Sequence, residues 1–389
     1  MQINPGGYLD LDDVVGRDDD IARYWRVLRR QSLVLSAERR IGKTHILLKM
    51  QDECLPGYLP FYQDLEGVHT VLDLIRSIYG TVQRSLPALS KIKGNIAKWS
   101  ALLPNKIAGV NLPTAEQTWQ LLLSEAFDDL IGIAGDDQIL LLWDEFPLML
   151  HNLHRQQGAD MTMELLDHLR ALRLVHSDRL RFVLTGSVGL HLVLRNLRRA
   201  GHANDPVNDM HSVTVPPITQ SHARDLAASL LKTTQASPGQ IADLASLIAD
   251  EIGGFPYYVH HIVDQLDQLP RPPGPADVSN AVEQVIYNPH DPANLRYYAN
   301  RLLLYYDERE RTLALVVLRA LAGQPEPTSA AKLLNLCRHE DVDLSAEKLR
   351  EVLTLLEEDH YIEARKSPTG AAYDFRWPLV RKWWRETQL

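Results

Sequence analysis

The sequence predicts an α/β protein: a parallel sheet of about five strands, then an α-helical stretch, then a small domain of three helices and a β-hairpin. Three observations predict it. Short, continuously apolar runs such as that at 139–143 suit parallel strands covered on both faces. As far as Pro217 these runs alternate with helical patterns, as in βαβ units. After Pro217 strand signals stop, and helical patterns separated by Pro- and Gly-rich breaks take over.

In order, Val14-Val15-Gly16-Arg17-Asp18 precedes a helical stretch carrying Ile21, Tyr24, Trp25 and Leu28. Strands are expected at 33–36 and 59–64, with a helix at 70–84 after the second. Further strands are expected at 139–143, 180–185 and 211–215. Helical patterns then cover about 219–232, 238–252, 256–268 and 275–287, broken by Ser-Pro-Gly at 237–239 and by the Pro-rich run at 270–275. A connector with Tyr297, Tyr298, Tyr305 and Tyr306 follows. The last part reads as helices at 309–322, 328–337 and 345–358, strands at 361–365 and 373–377 around a turn at 367–370, and a closing helix. Three helices and a hairpin make the pattern of a winged helix. The expected domains are 1–217, 218–288 and 289–389.

The chemistry is concentrated at two strand ends. The first strand opens into Ser36-Ala37-Glu38-Arg39-Arg40-Ile41-Gly42-Lys43-Thr44-His45, and a helix starts at once. A helix N-terminus presents unpaired N–H groups and positive dipole character, which suit an anion. Gly42 lets the backbone approach closely, Lys43 would reach the β- and γ-phosphates, and the Thr44 hydroxyl would hold Mg²⁺. Ala37 stands where glycine is usual and works only if its φ stays negative. Arg39 and Arg40 either bind phosphate or pair with acidic neighbours. The third strand ends in Asp144-Glu145, about 100 residues on and in the order a phosphate-loop sheet requires. Asp144 would hold the Mg²⁺ shell and Glu145 would polarise an attacking water.

Composition sets bounds. The chain has 389 residues, too many for one core, with 45% hydrophobic and 23% charged residues, as in ordinary soluble proteins. A net charge of −9 argues against nucleic-acid binding over the whole surface. Cys54 and Cys337 make neither a disulfide framework nor a zinc site, which fits a reducing compartment. A cytoplasmic location is expected, since no signal peptide or membrane-spanning run is seen.

With these motifs quoted, the chain resembles the AAA+/STAND group of P-loop ATPases, and within it the prokaryotic archaeal-type ATPase families. The resemblance covers roughly 10–385 and rests on Val15-Gly16-Arg17, Arg39-Arg-Ile-Gly-Lys-Thr44, Asp144-Glu145-Phe146, Leu184-Thr-Gly-Ser187 and Gly254-Phe-Pro256-Tyr-Tyr258. It implies ATP or ADP with Mg²⁺ as ligands. It places Gly16 and Arg17 beside the adenine, Thr185 and Ser187 as sensors of the γ-phosphate, and Gly254 and Pro256 in a helical lid against the nucleotide. Arg195, Arg198 and Arg199 follow the fourth strand, where AAA+ machines carry an arginine finger; Arg198 and Arg199 are the candidates, and a basic helix end favoured by the helix dipole is the rival explanation.

Two features lie outside this set. Between Leu74 and Ala115 there is no Asp or Glu, while Lys91, Lys93, Lys98 and Lys106 recur beside Ile92, Ile96 and Trp99, a basic amphipathic insertion at about 85–113. It would suit nucleic acid, a partner or an acidic surface. The third helix of the winged-helix pattern carries Glu347, Glu351, Glu357, Glu358 and Asp359, the wrong charge for phosphate. The expected function is a nucleotide-dependent switch with slow ATP hydrolysis and an unknown protein partner, with a nucleotide-dependent oligomer possible in principle. The alternatives are a DNA-associated AAA+ motor or loader and a non-catalytic nucleotide-bound interaction protein.

Overall fold

The structure, a computed structural model, describes residues 1–7, 9–85, 119–339, 344–367 and 370–388. The basic insertion expected at about 85–113 lies outside the described residues, as do positions 368 and 369 of the expected hairpin turn. The described residues fall into two compact units. One comprises 20–36 and 43–214; the other comprises 1–19, 37–42 and 215–389.

The first unit is the α/β sheet, whose strands alternate along the chain with helices α1 (Asp18–Leu28), α2 (Lys43–Asp52), α3 (Val71–Ser85), α4 (Trp119–Ile133), α5 (Phe146–Val175) and α6 (Leu190–Arg199). Its strands are β1 (Leu33–Ser36), β2 (Tyr58–Asp64), β3 (Gln138–Asp144), β4 (Leu180–Thr185) and β5 (His211–Thr214). All pairings are parallel, in the order β2-β3-β4-β1-β5. Every position of β4, and all of β3 after Gln138, is buried, which is why these runs are continuously apolar rather than alternating. The order creates a switch point. β1 sends the chain past β4 and β3 to β2 at the far edge, whereas β4 sends it past β1 to β5. Ligands of open α/β sheets bind outside the carboxyl ends of strands where such connections diverge. Here that position is the end of β1 beside β4, with β3 next in line.

An aromatic cluster packs on the face of these strands. The Phe182 ring meets Trp143 edge-on at 5.0 Å and lies 6.0 Å from Phe127. Phe182 is 1% exposed, so truncation leaves a cavity in a packed sheet. Phe182→Ala should cost about 3–5 kcal/mol, read as a lowered midpoint in urea unfolding.

The second unit carries the helical stretch and the C-terminal part. The helices α7 (Gln220–Leu231), α8 (Ile241–Ile252), α9 (Pro256–Asp267) and α10 (Pro275–Tyr287) pack on one another. Their starts follow local chemistry. Thr219 caps α7 by accepting from the His222 amide, and Pro begins α9 and α10, where its missing N–H costs nothing. The Tyr-rich connector contains a helix that periodicity did not reveal, α11 (Arg296–Tyr305). It is followed by α12 (Glu308–Ala322), opened by an Asp307/Glu310 capping box, then α13 (Ala330–Cys337) and α14 (Ala346–Glu358). A three-stranded antiparallel sheet of β6 (Thr328–Ser329), β7 (Ile362–Ser367) and β8 (Gly370–Phe375), in the order β6-β8-β7, and α15 (Pro378–Thr387) complete the helix–helix–helix–hairpin order of a winged helix. Trp384 is fully buried against Tyr361 and Phe375, so the terminal tryptophan belongs to the core.

Candidate functional site

β3 delivers its two carboxylates with almost no loop. The strand ends at Asp144, Glu145 follows in the left-handed region (φ 55°), and the long helix Phe146–Val175 begins at once, with Pro147 in its first turn. Opposite it, the helix α2 (Lys43–Asp52) begins with Lys43 and Thr44. The Thr44 hydroxyl donates to Asp144 Oδ2 at 2.6 Å, so two motifs 100 positions apart in sequence meet. A hydroxyl and a carboxylate at a helix N-terminus are the hard oxygen donors that Mg²⁺ takes, with water and phosphate oxygens supplying the rest.

Asp144 is 3% exposed. Burial pushes its carboxyl above the usual range; the Thr44 hydrogen bond opposes this, Glu145 adds to it and Lys43 counters it. The sign follows. A carboxyl raised in the folded state disfavours its ionised form, so ionised Asp144 costs stability that is regained as the pH falls. Cation binding needs that ionised form. Mg²⁺-dependent ATP affinity should therefore be present above the raised pKa and be lost, as pH falls, earlier than an ordinary aspartate would allow. Calorimetry across a pH series checks this, and in Asp144→Asn the step that belongs to Asp144 should be absent. Two neighbours respond to the same burial. Burial pushes His45 down and favours its neutral form, against the opposing pull of Asp144. Burial pushes the Tyr62 phenol up, helped by Asp144, Asp64 and Glu145.

Glu145 is held from the end of β4. Its Oε2 accepts from the Ser187 amide at 2.9 Å and from the Ser187 hydroxyl at 2.8 Å. Gly186 permits this approach: a Cβ there would lie 2.7 Å from Pro147 Cδ and 3.3 Å from Glu145 Cα. Thr185 is 1% exposed and donates to the Leu35 carbonyl at 3.2 Å, tying β4 to β1 at the switch point. Lys43, Thr44, Asp144, Glu145, Thr185 and Ser187 thus all belong to the sheet unit. Arg198 and Arg199 are exposed at the C-terminal end of the helix Leu190–Arg199, where the dipole favours cations.

The first half of the loop, 37–42, belongs to the second unit; the division falls at the Gly42–Lys43 peptide bond. Ala37 is absent from the positive-φ residues, so alanine is tolerated there, while Arg40 (φ 64°) and Gly42 (φ 102°) both adopt the left-handed region. For Arg40 that conformation costs about 1–3 kcal/mol. Arg17 is 2% exposed and donates to the Ile41 carbonyl at 2.9 Å and the Pro216 carbonyl at 2.8 Å, so its guanidinium braces the loop main chain. Gly16 packs against the His222 ring. Gly254 (φ 80°) is required by the approach of another main chain: a Cβ would lie 2.2 Å from the Ile218 carbonyl oxygen. Pro256 starts α9, and the neighbouring Tyr257 bonds Arg40 through its hydroxyl.

No protein-family model matches the chain, and no curated protein matches it. Solved structures do. The Walker-type ATPase PABY2304 of Pyrococcus abyssi superposes with a TM-score of 0.63 at 16% identity, over 98% of this chain and 99% of that one. The Aeropyrum pernix ORC2 protein, determined as ADPNP–ADP complexes, superposes with a TM-score of 0.56 at 14% identity, over 99% and 96%. The chain has the AAA+-type P-loop ATPase fold. At such identity the likeness concerns fold alone.

Several residues near the site carry no role that the sequence pattern predicts. Tyr62 beside Asp144 is one. Glu38, Tyr257, Tyr297, Arg301 and Asp359 are others; they gather around the first half of the loop. The available signal was thin: Glu38 is the one acidic residue in the loop, and Arg301 stands among the tyrosines of the connector.

Proposed function

We propose that this protein binds ATP·Mg²⁺ at its phosphate loop, hydrolyses it slowly and acts as a nucleotide-dependent switch controlling contact with a protein partner. The observation that carries the reading is the Thr44–Asp144 contact at 2.6 Å, with Glu145 next in the chain and held by Ser187. Phosphates would lie on the amides of the loop and of the start of α2, with Lys43 supplying positive charge. Thr44 and Asp144 would hold Mg²⁺, which neutralises charge on the phosphates. Glu145 would orient the attacking water and accept its proton, and Ser187 would position that carboxylate. A nucleotide with a few kcal/mol of differential affinity for two arrangements of the protein suffices to shift between them.

The fold likeness to a Walker-type ATPase and to a protein seen with ADPNP and ADP supports nucleotide as the ligand. The exposed face of α14 argues against reading DNA with it. Glu347, Glu351, Glu357 and Glu358 are exposed there, with Arg350 the exposed cation among them, and phosphate would be repelled. Among the described residues no helix is long and apolar enough to cross a membrane. Calorimetric titration with ATP·Mg²⁺ and a phosphate-release assay test the proposal. Binding with slow turnover is the expected result; no binding would overturn it. Binding with no turnover would leave the non-catalytic alternative. Measuring the mass in solution with and without ATP·Mg²⁺ would separate a lone switch from a nucleotide-dependent oligomer.

A further inference from the structure

The side chains on the first half of the phosphate loop are gripped by the C-terminal part of the same unit. Glu38 is 2% exposed and accepts from Arg301 Nη1 at 2.8 Å. Arg301, on α11, is 3% exposed and donates its other Nη to Asp359 Oδ1 at 3.1 Å. Asp359 is the C-cap of α14, and the Tyr306 hydroxyl donates to its Oδ2 at 2.6 Å. One guanidinium therefore bridges a carboxylate of the loop and a carboxylate of the winged-helix segment. Burial works against its charge, yet Glu38, Tyr361 and Asp359 hold it well above the ordinary arginine range. The next two loop residues are gripped as well. The Arg39 guanidinium lies 5.0 Å from the centre of the Tyr297 ring, and that of Arg40 lies 4.5 Å from the centre of the Tyr257 ring.

A buried ion triad is a poor source of stability, because desolvating three charges offsets most of their attraction. It is a good way to fix geometry. The loop needs fixing, since Arg40 sits at φ 64° beside Gly42 at φ 102°. Strained backbone of this kind persists only where surrounding contacts over-determine it. Left-handed residues within such a turn help point successive amides into an anion-binding concavity.

We propose that Arg301 is a positioning residue for the phosphate loop: bridging Glu38 to Asp359, it lets the docked winged-helix segment hold the loop in its anion-binding conformation. This rests on the reading of the loop as the ATP site. The linkage is reciprocal, so ATP on the loop favours the docked segment by the same factor.

Asp359→Asn tests it, because the change is isosteric and lies far along the chain from the loop. In the nucleotide-free protein, amide exchange at 37–42 should quicken relative to exchange across 215–389. ATP affinity should fall by about tenfold, while turnover at saturating ATP stays near that of the parent. A merely structural contact would lower stability and speed exchange across the unit without a selective effect on the loop or on affinity, and that result overturns the proposal. So does a folded variant with the parent's exchange and affinity. If Asp359→Asn does not fold, Tyr306→Phe removes a single hydrogen bond to Asp359 and must move both readouts the same way by less; no movement overturns the proposal. If the parent does not bind ATP, the proposed function fails, and the exchange measurement still decides the bridge.

Discussion

Lys43→Ala should severely weaken ATP binding and leave the chain folded. Lys43 is the first residue of α2 and is 6% exposed, close enough to Asp144 to counter the burial that raises that carboxyl. A buried ammonium at a helix N-terminus adds a full positive charge to the amide dipoles that face the phosphates. Its loss should weaken ATP by about a hundredfold or more, roughly 3 kcal/mol. Alanine continues a helix well, so the fold has little reason to respond. Calorimetry measures the affinity and circular dichroism the fold. A folded variant with unchanged affinity would remove the phosphate loop from the account.

Glu145→Gln should retain ATP and lose hydrolysis. The glutamate lies one residue beyond the Mg²⁺-side carboxylate Asp144, in a left-handed N-cap position, with its Oε2 held by the amide and hydroxyl of Ser187. Glutamine has the same shape and still accepts those bonds, but it cannot take a proton from water. The expected loss in turnover is about 10²–10⁴-fold with little change in affinity. If hydrolysis stays within a few-fold of the parent, the proton acceptor lies elsewhere and Ser187 holds Glu145 for another purpose.

Much of the fold was legible because its signals are local. β1 and β4 have the ends that apolar runs predict, and β2 begins only one residue before its expected start. Breakers marked the helices of the second unit: Ser-Pro-Gly at 237–239 before α8, Gly254 and Pro256 at the start of α9, and the Pro-rich run at 270–275 before α10, while the caps Thr219 and Asp307 emerged only in the structure. The missed helix α11 lacks such a signal. Its Arg-Tyr-Tyr-Ala-Asn start shows no side-chain cap, and tyrosine serves strands and helices alike. The long helix Phe146–Val175 was also not read, since it starts directly on the carboxylate pair and is interrupted at Gly158 (φ 90°).

The same division runs through the site. Sequence by itself determined the strand–loop–helix carrying Lys43 and Thr44 and the strand ending in Asp144 and Glu145. Each depends on neighbours within a few positions: backbone freedom, a helix start, a buried strand end. Only the tertiary structure decided who meets whom. It placed Thr44 on Asp144 through the β2-β3-β4-β1-β5 strand order, and it set Ser187 against Glu145 across Gly186. It also committed Arg17 to the Ile41 and Pro216 carbonyls. Above all, it joined Glu38 to Arg301, 263 positions away, and Arg301 to Asp359. No spacing rule announces such a pair. Many carboxylates in the chain could pair with a given guanidinium, and burial together, which belongs to the packed whole, selects one.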